Sequence, residues 1–184
     1  TVRFGASVFK FWTDWPYFIL FGSVIILLFC AMLFGSKMFH HVPSLLILQL
    51  PMYGLHQFEE HALDIYSRPY YFVHFVNHEV LGLPYSMKCE EYYMSPRHAY
   101  IVNMVFVWLM MPFCILLSRR YPIRNNCMIS VGFMLVNGCA HIVFGVVRLQ
   151  YNPGLLSSLL VFVPYCIYTL YLMIQKGYML RGDI

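Results

Sequence analysis

Leu55-His56-Gln57-Phe58-Glu59-Glu60-His61 closes a run, Ser44 to Asp64, whose first half is dominated by leucine and isoleucine. The reading of this stretch decides the fold. On a helix, His56, Glu59 and Glu60 stand at i, i+3 and i+4 and share one face. The run is long enough to cross a bilayer, and two adjacent acids at its edge are costly unless something compensates them. One ionised group at mid-bilayer costs from roughly 3 kcal/mol on insertion scales to roughly 10 or more in simulation. A bound cation, a shared proton or a cationic partner offsets that cost.

Outward from this run lie four more of the same kind. Tyr17 to Gly35 carries no charge, and His98–Ser118, Asn126–Val147 and Leu155–Ile174 follow. The 184 residues are 60% hydrophobic and only 11% charged. These features predict an all-α fold: a polytopic membrane helical bundle of about five transmembrane helices, forming a single domain over residues 1–184. Residues 1–16 mix Arg3, Lys10 and Asp14 with Phe4, Phe9, Phe11, Trp12 and Trp15, which reads as an interfacial segment. Residues 65–97 are broken by Pro69, Gly82, Pro84 and Pro96. They read as an extramembrane cap or re-entrant segment, with a short helix within Tyr70–Leu83 packed over the polar ends of the spans. The aromatic residues cluster near segment ends, as interfacial belts do. No basic run is long enough for nucleic acid. The six cysteines form no CxxC pair, and five lie in apolar runs as packing residues.

Alternation of five spans sorts the polar groups by side. The side of residue 1 also receives the end of the second span, segment 65–97, the start of the third span and the end of the fourth. His56, Glu59, Glu60, His74, His78, Glu79, His98, Asn137, His141 and Arg148 all fall there. Lys and Arg divide equally between the sides, but the compact cluster Arg119-Arg120-Tyr121-Pro122-Ile123-Arg124, with Lys176 and Arg181, marks the other side as cytoplasmic. The polar face is then exoplasmic or lumenal.

The chemistry implied is that of a metal centre. His74 and His78 stand at i, i+4, a spacing that grips one ion from one helix face, and Asn137 and His141 repeat it. The candidate ligands are His56, Glu59, Glu60, His74, His78, His98 and His141. Glu59, Glu60 and Arg148 are the candidate catalytic groups, Arg148 steadying a carboxylate or an anionic head group. Mixed imidazole and carboxylate donors suit a divalent transition metal, zinc or non-haem iron, with donors enough for one ion or two. His40 and His41 read as a solvated turn, Glu90 and Glu91 as a solvated face, and His61 points away from the Glu59 and Glu60 face. Tyr151-Asn152-Pro153-Gly154 reads as a tight turn.

His56-Gln57-Phe58-Glu59-Glu60, Asn137 with His141 four residues on, and the Tyr151-Asn152-Pro153-Gly154 turn together resemble the HXXEE-motif family of small multi-pass membrane proteins. The resemblance covers roughly residues 45–175. It implies a polytopic membrane protein and carries no reaction with it.

Three functional readings follow. The first is a membrane metalloenzyme, an oxidoreductase or hydrolase, acting on a lipidic or membrane-soluble substrate drawn from membrane lipid. The second is a non-catalytic accessory subunit of a larger membrane protein complex. The third is a metal-free glutamate-type intramembrane hydrolase, in which Glu59 or Glu60 activates water.

Overall fold

The computed structural model describes residues 11–88, 91–118 and 122–179. Most of the expected interfacial segment, Glu90 and the centre of the basic turn lie outside the described residues. Eight helical elements follow one another: α1 Phe11–Phe34, α2 Val42–His61, α3 Tyr71–Phe75, α4 Pro96–Val102, α5 Met110–Leu117, α6 Ile123–Arg148, α7 Leu155–Ser157 and α8 Val163–Gln175. Three wider π-helical turns are spliced into them. Val76–Val80 prolongs α3, Asn103–Leu109 joins α4 to α5, and Ser158–Phe162 joins α7 to α8. Such turns insert a residue into the helical ladder and re-aim the side chains that follow.

Among the described residues, four helical stretches are long and apolar enough to cross a membrane: Trp12–Lys37, Pro96–Leu117, Met128–Arg148 and Leu155–Gln175. Their outward faces carry the large exposed hydrophobics. Phe18, Phe21, Leu28, Phe29 and Met32 lie on α1, and Val136, Val143 and Val147 on α6. A lipid-facing surface explains that pattern, and the chain is an integral membrane protein.

The expected second span differs in kind. Pro43 opens α2 and Pro51 lies inside it. Its polar residues Gln49, His56, Gln57, Glu60 and His61 are all buried, as are Leu45, Leu46, Leu48 and Tyr53. α2 therefore forms the interior of the bundle, wrapped by the four apolar helices, and that is why it tolerates so many polar groups. Close helix contact at its centre depends on Gly54: a Cβ there would lie 1.9 Å from Ser23 Oγ on α1. Small residues at a crossing let backbones approach in this way. On the far side, Gly138 of α6 admits Phe162 and Val163.

The 65–97 segment folds over the end of α2. Asn77 ties α3's π turn to the loop ahead of α4: its Nδ2 donates to Val73 O and Met94 O, both at 2.7 Å, and its Oδ1 accepts from Met94 N at 3.1 Å. Asp64 and Arg68 pair at 2.6 Å, and the Arg68 guanidinium lies 3.4 Å from the Tyr71 ring centroid.

Candidate metal centre

The site forms where α2 ends, α6 ends and α7 begins. His56 and Glu60 come from one face of α2, four residues apart, and His141 is brought up by α6. One donor atom from each of the three lies within 4.8 Å of the others, and all three residues are buried.

Hydrogen bonds to the rest of the protein engage Nδ1 of each imidazole. Ser157 Oγ lies 2.9 Å from His56 Nδ1 and 3.2 Å from Gly154 O. Asn152 Nδ2 donates to His141 O at 2.9 Å, which leaves its Oδ1 to accept from His141 Nδ1 at 2.7 Å. With Nδ1 engaged outward, each ring turns its Nε2 inward. Outer hydrogen bonds of this type set the tautomer and aim of ligating histidines.

Both Nε2 atoms face the same carboxylate. His56 Nε2 stands 3.6 Å from Glu60 Oε2, and His141 Nε2 stands 3.6 Å from Glu60 Oε1. These gaps are too long for hydrogen bonds. They are close to the separation of about 3.3 Å between nitrogen and oxygen ligands on a tetrahedral zinc. His56 Nε2 is a buried polar atom without a hydrogen-bond partner. A buried nitrogen left so costs about 1–3 kcal/mol. Three electron-pair donors facing one another in a buried pocket are compensated when something positive sits among them.

Aromatic rings hold the histidines in place. Phe162 stacks on His56 at 4.2 Å between centroids, and the two imidazoles meet edge to face at 4.9 Å. Gly154 fits between them with φ +91°; a Cβ there would lie 2.8 Å from Cε1 of both rings. The Asn-Pro-Gly turn is thus part of the site's wall. Nothing in its composition beyond the turn signal reveals this, because the contact depends on where α6 ends.

Glu59 and Glu60 are neighbours in sequence yet meet different partners. Glu59 Oε1 accepts from Tyr151 OH at 2.8 Å and Leu156 N at 3.1 Å, and its Oε2 accepts from Ser157 N at 2.6 Å. Its carboxylate takes up two of the free N–H groups that open α7. Burial, and then the Glu59 charge, push the Tyr151 phenol above its ordinary range, so it stays a donor. Glu60 Oε2 receives Gln57 Nε2 at 3.2 Å and lies 3.2 Å from His61 Nε2. His61, expected to point away from the acids, is instead buried. Asn103 meets its Nε2 at 3.0 Å, and Trp15 and Phe72 pack on its ring at 5.2 and 4.8 Å. Its position at the last turn of α2, roofed by the cap, is what sequence periodicity does not register.

The other expected ligands lie elsewhere. His98 is exposed and folds back on Ser95 as a capping box at the start of α4. His78 donates from Nδ1 to Leu83 O at 2.9 Å, and its Nε2 accepts from Tyr92 OH at 2.7 Å. His74 lies beside it, with ring centroids 4.3 Å apart. Tyr85 donates to Glu79, and Arg148 Nη2 donates to Glu79 O at 2.7 Å. Ser157 and Asn103 were not singled out from sequence, and Gln57, Asn152 and Gly154 entered only as parts of the motif and the turn; each touches the centre or its supports.

A cavity of about 210 Å³ opens beside Glu60 and His141. Glu60, His141, Asn137 and Asn152 line one part of it; Phe72, Phe75, Val76, Val80, Ala140 and Phe144 line the rest.

A profile of the family described as proteins of unknown function with an HXXEE motif matches residues 47–169, well over half of the chain. No curated protein and no solved structure matches the chain.

Proposed function

We propose a function from the premise that this chain belongs to the HXXEE-motif family: it is a membrane metalloprotein that holds one divalent transition ion on His56, Glu60 and His141. The observation that supports this reading is the pair of buried Nε2 atoms turned on one carboxylate at 3.6 Å each. Two imidazoles and one carboxylate form a donor set used by zinc hydrolases and by non-haem iron oxygenases. When bound, either ion supplies a Lewis acid or an activated water beside the cavity. Gln57 steadies one Glu60 oxygen, while Ser157 and Asn152 hold the imidazoles. Glu59 is a positioning residue that pins the opening of α7, and Arg148 holds the cap. The substrate is lipidic or membrane-soluble, and the centre lies at the exoplasmic or lumenal face.

Elemental analysis of protein purified without chelator tests this. The expected content is about one equivalent of zinc or iron in the native chain and a loss of most of it in Glu60→Gln. Under about half an equivalent of any transition metal in the native chain overturns the reading.

A second reading rests on the 3.2 Å contact between His61 Nε2 and Glu60 Oε2. That pair serves as a metal-free acid and base, and activity that survives strong chelation selects it. An accessory role in a larger complex predicts co-purification at fixed stoichiometry and function intact in Glu60→Ala.

A further inference from the structure

The cavity beside Glu60 and His141 combines a few polar lining residues with a larger apolar set. Glu60, His141, Asn137 and Asn152 make its polar wall; Phe72, Phe75, Val76, Val80, Ala140 and Phe144 make its apolar body. Among the described residues, no lysine or arginine lines it. Its volume, about 210 Å³, exceeds the roughly 150 Å³ of an apolar cavity that takes up benzene. Three of its apolar lining residues, Val80, Ala140 and Phe144, are more than a third exposed, so the cavity reaches the outer surface between α3's π turn and α6. On α6 the neighbouring outward residues are Val143, Val146 and Val147, all exposed and apolar. The mouth therefore opens among lipid-facing side chains.

The two walls of this mouth are tied together. Arg148, in the last turn of α6, donates to the carbonyl of Glu79 at 2.7 Å, and Glu79 precedes Val80 in the π turn. The bond spans from the helix that carries His141 to the segment that carries Phe72, Phe75, Val76 and Val80. A charge-assisted bond to a backbone carbonyl fixes the segment's position without drawing on its side chains.

We propose that this cavity is a binding pocket for a molecule with an apolar body and a single small oxygen-bearing end, reached from the bilayer between Val80 and Phe144, with the Arg148–Glu79 bond holding its outer wall. The oxygen end lies against Glu60 and His141, and the body fills the space among the phenylalanines. Sugars and nucleotides find too few polar partners there. A pocket of mainly apolar lining with a few convergent polar groups suits such a ligand. The chemistry at the polar wall rests on the metal-centre reading; occupancy of the apolar body does not.

The test uses the full chain in detergent and a medium-chain primary alcohol carrying a diazirine, photolysed and mapped by peptide mass spectrometry. The expected result is labelling concentrated on peptides containing Phe72–Val80 and Ala140–Phe144. Ala140→Phe is expected to cut it by about tenfold, because it fills the cavity. Phe144→Ala is expected to keep the label and extend it to a longer-chain alcohol. Label spread evenly over the lipid-facing residues of α1 and α6, or insensitive to Ala140→Phe and Phe144→Ala alike, overturns the proposal. Metal content is read on the same samples. A metal-free chain that still takes up the alcohol in the pocket removes the metal reading and keeps the pocket; a metal-loaded chain without pocket labelling does the reverse.

Discussion

Two clusters in this molecule have the same ingredients and opposite hydrogen-bond accounts. The first is His56, Glu60 and His141; the second is His74, His78 and Glu79 with Tyr85 and Tyr92. Each sets two imidazoles near a carboxylate, and each has an i, i+4 pair on one helix face. In the second cluster the protein spends the nitrogens of His78 on itself, one on Leu83 O and one on Tyr92 OH. In the first, outer partners take only the Nδ1 atoms and leave both Nε2 atoms facing Glu60. Helical spacing is therefore not what distinguishes a candidate metal centre from a packed polar cap. The distinction lies in which imidazole nitrogens remain without a hydrogen-bond partner, and that follows from partners far away in sequence.

The contrast is broken most directly by ligand removal. His141→Ala is expected to abolish most metal retention, whereas His78→Ala is expected to leave metal content as in the native chain. Equal losses in both, measured by elemental analysis, would erase the distinction between the clusters. A smaller effect is expected one layer out. Asn152→Ala frees the His141 ring to turn, and about a 10–100-fold weaker metal affinity follows, read by competition with a chelator of known affinity.

Backbone strain sharpens the comparison from another side. Gly154→Ala places a Cβ 2.8 Å from both imidazoles at a φ of +91°. The expected cost is about 1–3 kcal/mol, with metal retention falling in step; a thermal-melting series in detergent reads the first and elemental analysis the second. Glu59→Gln keeps a weaker acceptor for the α7 amides, and a loss of about 1 kcal/mol is expected. Its metal content should stay above that of Glu60→Gln, which is the sharpest available contrast between two adjacent acids.

The smallest expected effect is a pH dependence confined to the second cluster. Burial, and then the neighbouring His78, hold the His74 imidazole below its ordinary value. The fold therefore favours its neutral form. As pH falls below the ordinary imidazole value of about 6.5, the unfolded segment binds the proton first. The cap's stability thus declines through the interval down to the lowered value and is complete above it. Hydrogen-exchange protection over residues 71–88, corrected for the intrinsic pH dependence of exchange, should fall with acidification in the native chain and lose that dependence in His74→Gln.

Much of this was legible in residue order. An apolar run without charge crosses a bilayer as a helix because the backbone must satisfy itself there, and four of the five expected runs, Tyr17–Gly35, His98–Ser118, Asn126–Val147 and Leu155–Ile174, coincide with long apolar helices. The pairing of His56 with Glu60 follows from the rise of a single helix, and alternation of the spans put His141 at the same end. What needed the tertiary structure is the burial of α2 inside the bundle, which turns a polar span into a core. So did the parting of Glu59 from Glu60, since adjacent residues on a helix face different neighbours. The outer partner of each imidazole was likewise out of reach, because Ser157 is distant from His56 in sequence and Asn152 is joined to His141 only through a turn. Periodicity reports how one helix is faced; only packing decides which donors and acceptors meet across helices, and that meeting is what leaves the two nitrogens unspent.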